Sequence, residues 1–403
     1  MDAITESPGK YWPVSRKYDQ LNGRARACRL QDFYPIIQLD STSYTSFRRT
    51  SKETPVTIND LSDDILLIIF GYFHPIDLIH CFSLVSHRWN YLANHPSFFT
   101  EVRVLVNDIS LKNGSVKGFF HRTSQHLRKL CIDCFVRLPS VAFNALFDIY
   151  FPNVVHLDLG SFKEINATLL RKLSDSFPNV ETLHMDDVER YSVNNQYGEE
   201  WDEVLEMLFE NENIFPKMRN FFMGDVGKFH QGRKLLSCSR PLNLLRVYNG
   251  LSELDFMRIV TSLKSTLTEL YLGYYIKNED FQYIGDLHNL KVFSLSICLY
   301  TFDADIAPLK NLYNLEELRI NCGGQDCDLT NDGMIALFTL SRKEPEKLFP
   351  YKLKHLEIAD FHACKVNLLQ VINCNCPELK TLGLQYNGYM GDEAVPFIIS
   401  NFK

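Results

Sequence analysis

The sequence lacks a long hydrophobic run and a recognisable export signal. In this chain of 403 residues the longest apolar run, Ile65–Phe73, is about half the length of a membrane-spanning helix. The first residues have no apolar core between a basic start and a cleavage site, so no secretory signal is expected. The eleven cysteines are therefore predicted to be free thiols in the cytosol or nucleus, and their odd number argues against a complete disulfide framework.

An excess of positive charge is also missing. The chain has 42 lysines and arginines against 49 aspartates and glutamates, which gives a formal net charge of -7. A general basic surface for nucleic acid is therefore excluded. With 45% hydrophobic and 13% aromatic residues, the composition is typical of a folded protein and not of a disordered chain.

Motifs that would indicate an enzyme are absent. The chain contains no phosphate-binding loop, dinucleotide fingerprint, nucleophile elbow or zinc-protease helix. The strongest alternative is a metal site formed by His121, His126, Cys131 and Cys134. A lone Cys-x-x-Cys pair is a weak signal, and Cys131 falls between core positions of a repeat. The sequence predicts a non-catalytic protein without a metal or a cofactor.

What the chain does contain is an internal repeat, in which one apolar residue is followed by a second three positions later and a third two positions after that. Seven of the nine spacings between successive copies are 23 to 27 residues, and two are 38. Ten copies are present: Leu127/Leu130/Ile132, Val154/Leu157/Leu159, Val180/Leu183/Met185, Met218/Phe221/Met223, Leu242/Leu245/Val247, Leu267/Leu270/Leu272, Leu290/Phe293/Leu295, Leu315/Leu318/Ile320, Leu353/Leu356/Ile358 and Leu379/Leu382/Leu384. Phe99/Val102/Val104 is a candidate eleventh copy.

This pattern resembles the leucine-rich repeat, in which each unit forms one strand and one helix. Amphipathic segments between the triplets, such as Asn166–Phe177 and Ser252–Leu263, have apolar residues at helical spacing. We therefore predict an α/β fold over residues 102–403. It is a leucine-rich repeat solenoid of about ten repeats, a horseshoe with parallel strands inside and helices outside.

The two longer spacings predict insertions near residues 186–216 and 321–350. From Asp186 to Glu212 the first insertion has ten carboxylates and one arginine. This segment is interpreted either as a solvated acidic loop and helix or as a docking site for a basic partner.

Before the repeats, residues 56–101 predict a module of three short helices, which follows a polar leader at residues 1–55. Asp60 or Ser62 is suited to begin the first helix, Pro75 the second, and Ser83 or Ser86 the third. So small a module cannot bury all its large apolar groups internally, and part of its surface should be covered by a partner.

The stretch Leu61–Phe99 resembles the F-box family. One position departs from the family pattern: Ser62 stands where proline is typical. The matching residues are Leu61, Asp63, Asp64, Ile65, Leu66, Ile69, Phe70, Tyr72, Phe73, Asp77, Leu78, Leu84, Val85, Arg88 and Trp89.

The resemblance implies that the module docks on the linker subunit of a cullin-RING (SCF-type) ubiquitin ligase, and through it on the cullin, while the repeats hold a protein substrate. Residues carried over from the family pattern should face the linker or brace that face: Leu61, Ile65, Ile69, Phe70, Leu78, Val85 and Trp89. The alternative is that several of them only fill the core of the module.

Substrate is expected on the side of the strands that alternates with the buried triplets. A patch of aromatic and arginine side chains lies there, formed by Phe222, Arg246, Tyr248, Tyr271 and Arg319. These residue types carry most of the binding energy in protein interfaces. The F-box and leucine-rich repeats together predict a substrate-recognition adaptor of an SCF-type ligase. A ligase-independent scaffold is the alternative, and neither nucleic acid nor membrane is an expected partner.

Overall fold

The computed structural model describes residues 57–107, 114–133, 144–160, 165–185, 198–225, 234–249, 251–275, 279–297, 301–323, 328–340, 348–387, 391 and 393–402. The predicted leader at 1–55 lies outside these residues. The chain divides into two units, residues 1–60 and 61–403. A single 3-10 turn, Ile58–Asp60, is described in the first unit, and the following description concerns the second.

Three short helices open the second unit, as the sequence predicts: α1 (Asp63–Phe70), α2 (Pro75–His80) and α3 (His87–Ala93). Two 3-10 turns, Phe82–Leu84 and Pro96–Phe99, complete the module. Ser62 is the N-cap of α1, and the Ser86 hydroxyl accepts a hydrogen bond from the Trp89 amide at 3.1 Å at the start of α3.

In the part of the chain that the structure describes, eleven strands form a parallel sheet, and their order in the sheet is their order in the chain. The second and third members of each of the ten predicted triplets are on or beside a strand, and Val102 and Val104 supply an eleventh. The strands are β1 (Glu101–Leu105), β2 (Lys129–Asp133), β3 (His156–Asp158), β4 (Thr182–Met185), β5 (Asn220–Asp225), β6 (Leu244–Asn249), β7 (Glu269–Tyr275), β8 (Val292–Ser296), β9 (Glu317–Asn321), β10 (His355–Ala359) and β11 (Thr381–Gln385).

Helices connect most of the strands. The two amphipathic segments singled out in the sequence form helices capped by the side chains of Asn166 and Ser252. In two repeats a 3-10 turn, at Ala145–Asp148 or Ala307–Asn311, lies between the strands. The helices are α4 (Ser115–Thr123), α5 (Ala167–Ser176), α6 (Gly198–Glu210), α7 (Glu253–Ser262), α8 (Asp280–Gly285), α9 (Asn331–Phe338), α10 (Val366–Asn375) and α11 (Ala394–Asn401). No described helix is long and apolar enough to cross a membrane.

The sheet and its helices enclose one continuous apolar core. Equivalent residues of adjacent repeats pair in register, for example Leu245 with Leu270 and Leu270 with Phe293, and all three are fully buried. Each repeat therefore covers the apolar side chains of the next. The opposite side of the sheet, whose side chains alternate with these buried ones, is called the open face below.

The helical module packs against the first repeat. Ile79 of α2 is buried in the core of the repeats, and the His74 imidazole Nε2 lies 2.8 Å from the Arg103 carbonyl oxygen on β1. His74 Nδ1 accepts the Ile76 amide hydrogen at the start of α2, so Nε2 is the nitrogen that donates to Arg103. These contacts pack the module directly against the sheet, with no connecting segment between them.

The buried position of Leu270 gives a direct test of the repeat core. We expect Leu270→Ala to lower the free energy of unfolding by about 2–5 kcal/mol, because it leaves a cavity between two repeats. Ser294→Ala, on the open face of the adjacent strand, should change it by less than about 0.5 kcal/mol. Urea unfolding followed by circular dichroism measures both, and equal effects would contradict the assigned faces.

Candidate functional site

The module has a small core of its own, separate from that of the repeats. Leu66, Phe70, Leu78, Trp89 and Leu92 are buried in it. The rings of Phe70 and Trp89 meet edge to face, with centroids 5.0 Å apart. Three residues predicted to serve the linker interface, Phe70, Leu78 and Trp89, are therefore interior. These three side chains can support the exposed surface of the module by packing beneath it, but they cannot contact a partner directly.

The other four predicted residues differ in exposure. Leu61 and Ile69 are partly buried and pack against the small core. Ile65 and Val85 are exposed, at 43% and 59%. The prediction of a linker contact thus concerns mainly Ile65 and Val85, and it stays a prediction here.

Two further exposed apolar residues, Ile68 and Leu84, were not among the predicted site residues. They are 59% and 79% exposed. Helical spacing is the signal that points to Ile68, because it lies three residues after Ile65 on α1. We call the set Ile65, Ile68, Leu84 and Val85 the apolar patch of the module.

Arg88 fixes the start of α1 beside α3. Its guanidinium donates to an Asp63 carboxylate oxygen from Nε at 2.8 Å and to the Leu61 carbonyl oxygen at 2.5 Å. Ile65 follows Asp63 by two residues and Val85 precedes Arg88 by three. The ion pair therefore joins the start of the helix that contains Ile65 to the helix that follows Val85.

Two neighbouring aromatic residues of the module separate bracing from surface roles. We expect Phe70→Ala to destabilise the module by about 3–5 kcal/mol, because a large buried ring is removed. Tyr72→Ala, at a position 82% exposed, should have an effect below about 0.5 kcal/mol. Hydrogen exchange of residues 61–99 measures the difference, and unchanged protection in Phe70→Ala would contradict the interior assignment.

On the open face, pairing between strands brings together four of the five predicted substrate residues. Phe222, Arg246 and Tyr271 are direct neighbours on β5, β6 and β7. Tyr248 lies two residues after Arg246 on β6, and the Arg246 guanidinium carbon is 5.4 Å from the centre of its ring. We call Phe222, Arg246, Tyr248 and Tyr271 the aromatic cluster.

Residues next to the aromatic cluster orient it, and the predicted site did not include them. The His184 imidazole stacks on the Phe222 ring with centroids 3.8 Å apart. Gly273 leaves room for Tyr248, because a Cβ atom at Gly273 would lie 3.1 Å from that ring. The register of the strands, which the aligned triplets predict, places Phe222, Arg246 and Tyr271 side by side. The stacking of His184 and the space at Gly273 are given by the structure.

Carboxylates lie beside Tyr271 on β7 and further along the sheet on β9 and β10. The Tyr271 hydroxyl donates to Glu269 at 3.0 Å, and burial together with this carboxylate raises the pKa of Tyr271 above its usual range. Arg319 contacts Glu317 at 2.6 Å and Glu357 at 3.8 Å. The fifth predicted residue, Arg319, therefore lies two strands from Tyr271 within a group of carboxylates.

The alternative metal site has little support from the described part of it. Cys131 is buried, its sulfur lies 3.2 Å from Arg103 Nε, and burial raises the pKa of its thiol to about 12. Cys134 lies outside the described residues. Among the residues that are described, no three His, Cys, Asp or Glu side chains are grouped to hold a metal ion.

His156, on the open face of β3, should contribute a pH dependence. Burial, with Lys129 and His184 nearby, lowers the pKa of His156 below 6.5. The unfolded chain therefore takes up a proton at a higher pH than the folded chain, and stability is lost as the pH falls below about 6.5. We expect His156→Gln to reduce this loss in urea unfolding from pH 7 to pH 5. The exposed His121→Gln is the control, and identical profiles for the two variants would contradict the assignment.

The geometry defines a helical module with an exposed apolar patch, joined to a parallel repeat sheet that has an open face. Residues 58–104 match the family model described as F-box-like. This part of the chain is an F-box-like domain.

A stretch of 63 residues is 35% identical to the F-box protein SKIP5 of Arabidopsis thaliana. The match covers 16% of this chain and 23% of that protein, so the chain spans less than a quarter of this relative's length. Two solved structures are similar over 82% of this chain: an internalin (inlF) from Listeria monocytogenes and the yeast Rad7 and Elc1 complex. They are 15% and 14% identical with TM-scores of 0.37 and 0.36, and they are covered over 83% and 90% of their length.

Proposed function

We propose that this chain is a substrate-recognition adaptor of an SCF-type ubiquitin ligase. The F-box-like domain docks on the linker subunit, and through it on the cullin, while the repeat sheet binds a protein substrate. In this role the chain has no catalytic residues, because the transfer of ubiquitin is carried out by other subunits. Its place of action is the cytoplasm or the nucleus.

The observation that carries the proposal is the apolar patch of the F-box-like domain. The core of the domain is already filled by Phe70, Leu78 and Trp89, so Ile65, Ile68, Leu84 and Val85 are not needed for that core. Ile65 and Ile68 lie one turn apart on α1, and Leu84 and Val85 are consecutive. Exposed apolar residues on so small a helical module are typical of a protein-binding site. Because residues 58–104 match the F-box-like family model, we propose the linker subunit of the ligase as the partner that binds the apolar patch.

The contacts between the domain and the repeats support a role in positioning. Ile79 packs into the repeat core, and His74 is hydrogen bonded to Arg103 on β1. A substrate bound on the open face would therefore be held in a defined place relative to the linker. An adaptor of this kind accelerates transfer by raising the effective concentration of substrate near the ligase.

Co-purification with the linker subunit tests the proposal. We expect the native chain to bind the linker stably and the double variant Ile65→Asp, Val85→Asp to lose at least about 100-fold in affinity, because two charges would be buried without partners. Both positions are exposed, so the variant should fold.

Leu254→Asp is the matched control, since Leu254 is a 51% exposed apolar residue on α7 outside the domain. It should bind the linker like the native chain. Failure of the folded native chain to bind would reject the adaptor and favour a ligase-independent scaffold. Equal losses in the control and the double variant would reject the apolar patch as the docking site.

A further inference from the structure

A groove lies where the F-box-like domain meets the helix of the first repeat. One wall is α3 with the 3-10 turn that follows it, and the other is formed by α4. The lining residues are Asn90, Tyr91, Asn94, His95, Pro96 and Arg122. We infer that this groove binds a phosphate monoester, carried by a phosphorylated side chain of a partner protein or by a small molecule. The site goes beyond the proposed function, because its lining residues differ from those of the apolar patch and the aromatic cluster.

Both walls of the groove come from stretches of the chain without carboxylates. Residues 78–100, which include α3, contain no aspartate or glutamate, and neither do residues 109–132, which include α4. The second stretch contains five cationic residues: Lys112, Lys117, Arg122, Arg128 and Lys129. In a chain with a formal net charge of -7, this local excess of positive charge favours an anionic ligand.

Arg122 has no carboxylate partner. Among the residues that the structure describes, none forms a hydrogen bond or an ion pair with its side chain. Carboxylates on neighbouring elements contact other cations instead: Asp63 with Arg88 at 2.7 Å, Glu101 with Lys129 at 3.3 Å and Asp148 with Lys172 at 2.6 Å. The guanidinium of Arg122 can therefore bind an anion without first breaking an ion pair.

Two further donors line the groove, and within the described residues neither has an acceptor. Tyr91 is 75% exposed, and its hydroxyl forms no hydrogen bond there. His95 Nδ1 accepts from the Ser97 amide at 3.4 Å, so the hydrogen of the neutral ring is on Nε2, which is also unpaired there. With the guanidinium of Arg122, the groove thus offers three kinds of donor.

A phosphate monoester matches these donors better than a carboxylate does. It has three terminal oxygens and about -1.5 to -2 charges at neutral pH, whereas a carboxylate has two oxygens and one charge. The groove has a volume of about 570 Å³, which is in the range of ligand pockets and leaves room for the carbon atoms attached to the phosphate. The Tyr91 ring and Pro96 offer apolar surface to those atoms.

The wall at the end of α3 is held by contacts of its own. The Asn94 side-chain amide donates to the Asn90 carbonyl oxygen at 2.7 Å and to Asn90 Oδ1 at 3.0 Å, which closes the end of the helix. The His95 ring meets Phe98 edge to face, with centroids 6.2 Å apart, and Pro96 restricts the backbone of the following turn. His95 is therefore held in place before a ligand binds, which reduces the entropy lost on binding.

Titration of the purified full-length chain with phenyl phosphate, followed by saturation-transfer NMR, tests the inference. We expect a Kd of about 1 mM or below. Arg122→Gln should lose at least about tenfold in affinity, because hydrogen bonds to a charged group are removed, and Tyr91→Phe about threefold, because one hydroxyl is removed. Arg258→Gln is the matched control, since Arg258 is an exposed arginine on α7 outside the groove, and it should bind as the native chain does.

Three results would overturn the inference: a Kd for phenyl phosphate well above 1 mM, equal affinity for benzoate, or full affinity for phenyl phosphate in Arg122→Gln. Benzoate tests the preference for phosphate over a carboxylate, and the variant tests the location of the site. Circular dichroism of each variant separates loss of binding from loss of folding. Tyr91→Phe keeps the ring and removes only the hydroxyl, so it remains informative if Arg122→Gln fails to fold.

A random phosphopeptide library distinguishes the two sources of the phosphate group. A selected phosphopeptide that binds at least about tenfold more tightly than phenyl phosphate, and loses this affinity on dephosphorylation, identifies a phosphorylated partner protein as the ligand. Phosphopeptides that bind no more tightly than phenyl phosphate identify a small phosphate monoester. Both results require that binding be weakened by Arg122→Gln, and phosphopeptide binding that this variant leaves unchanged would place the phosphate site elsewhere.

Discussion

The burial of apolar rows between successive repeats is the constraint on which the rest of the structure depends. A single strand and helix cannot remove its own leucines from water, so each repeat is stable only against its neighbours. Leu270 is covered in this way by Leu245 and Phe293 on either side. Because these rows must align, the strands pair in register, and every intervening side chain is directed to the open face. The aromatic cluster is thus a consequence of core packing.

The F-box-like domain must also remove its apolar side chains from water, and it buries fewer of them. Its short helices bury a few large side chains around Phe70 and Trp89, and Ile79 is buried in the core of the repeats instead. The residues of the apolar patch lie outside both cores. The residues that form the core of the domain and the exposed residues of the apolar patch are therefore different sets, so the exposed residues can be altered without loss of the fold.

The periodicity of the sequence was sufficient to predict the strands, and side chains such as Asn166 and Ser252 marked the starts of helices correctly. It did not separate the buried from the exposed residues of α1, because that helix is apolar on nearly all sides and has no polar face to set its orientation. Arg319 shows a second limit. The triplets Leu315/Leu318/Ile320 and Leu353/Leu356/Ile358 align Arg319 with Glu357, but the ion pairs of Arg319 with Glu317 and Glu357 depend on side-chain conformation, which the repeat pattern does not give.

The sequential order of the strands has a consequence for how the protein is made. Each strand pairs only with its neighbours in the chain, so the contacts of the sheet are short in sequence separation and close with little loss of loop entropy. During synthesis, the helical domain and β1 emerge from the ribosome before β2 and offer a template to which β2 can add. Each later repeat then adds to a strand that is already in place. The nascent chain therefore exposes about one unfinished repeat at a time, which limits the unpaired strand edge available for aggregation.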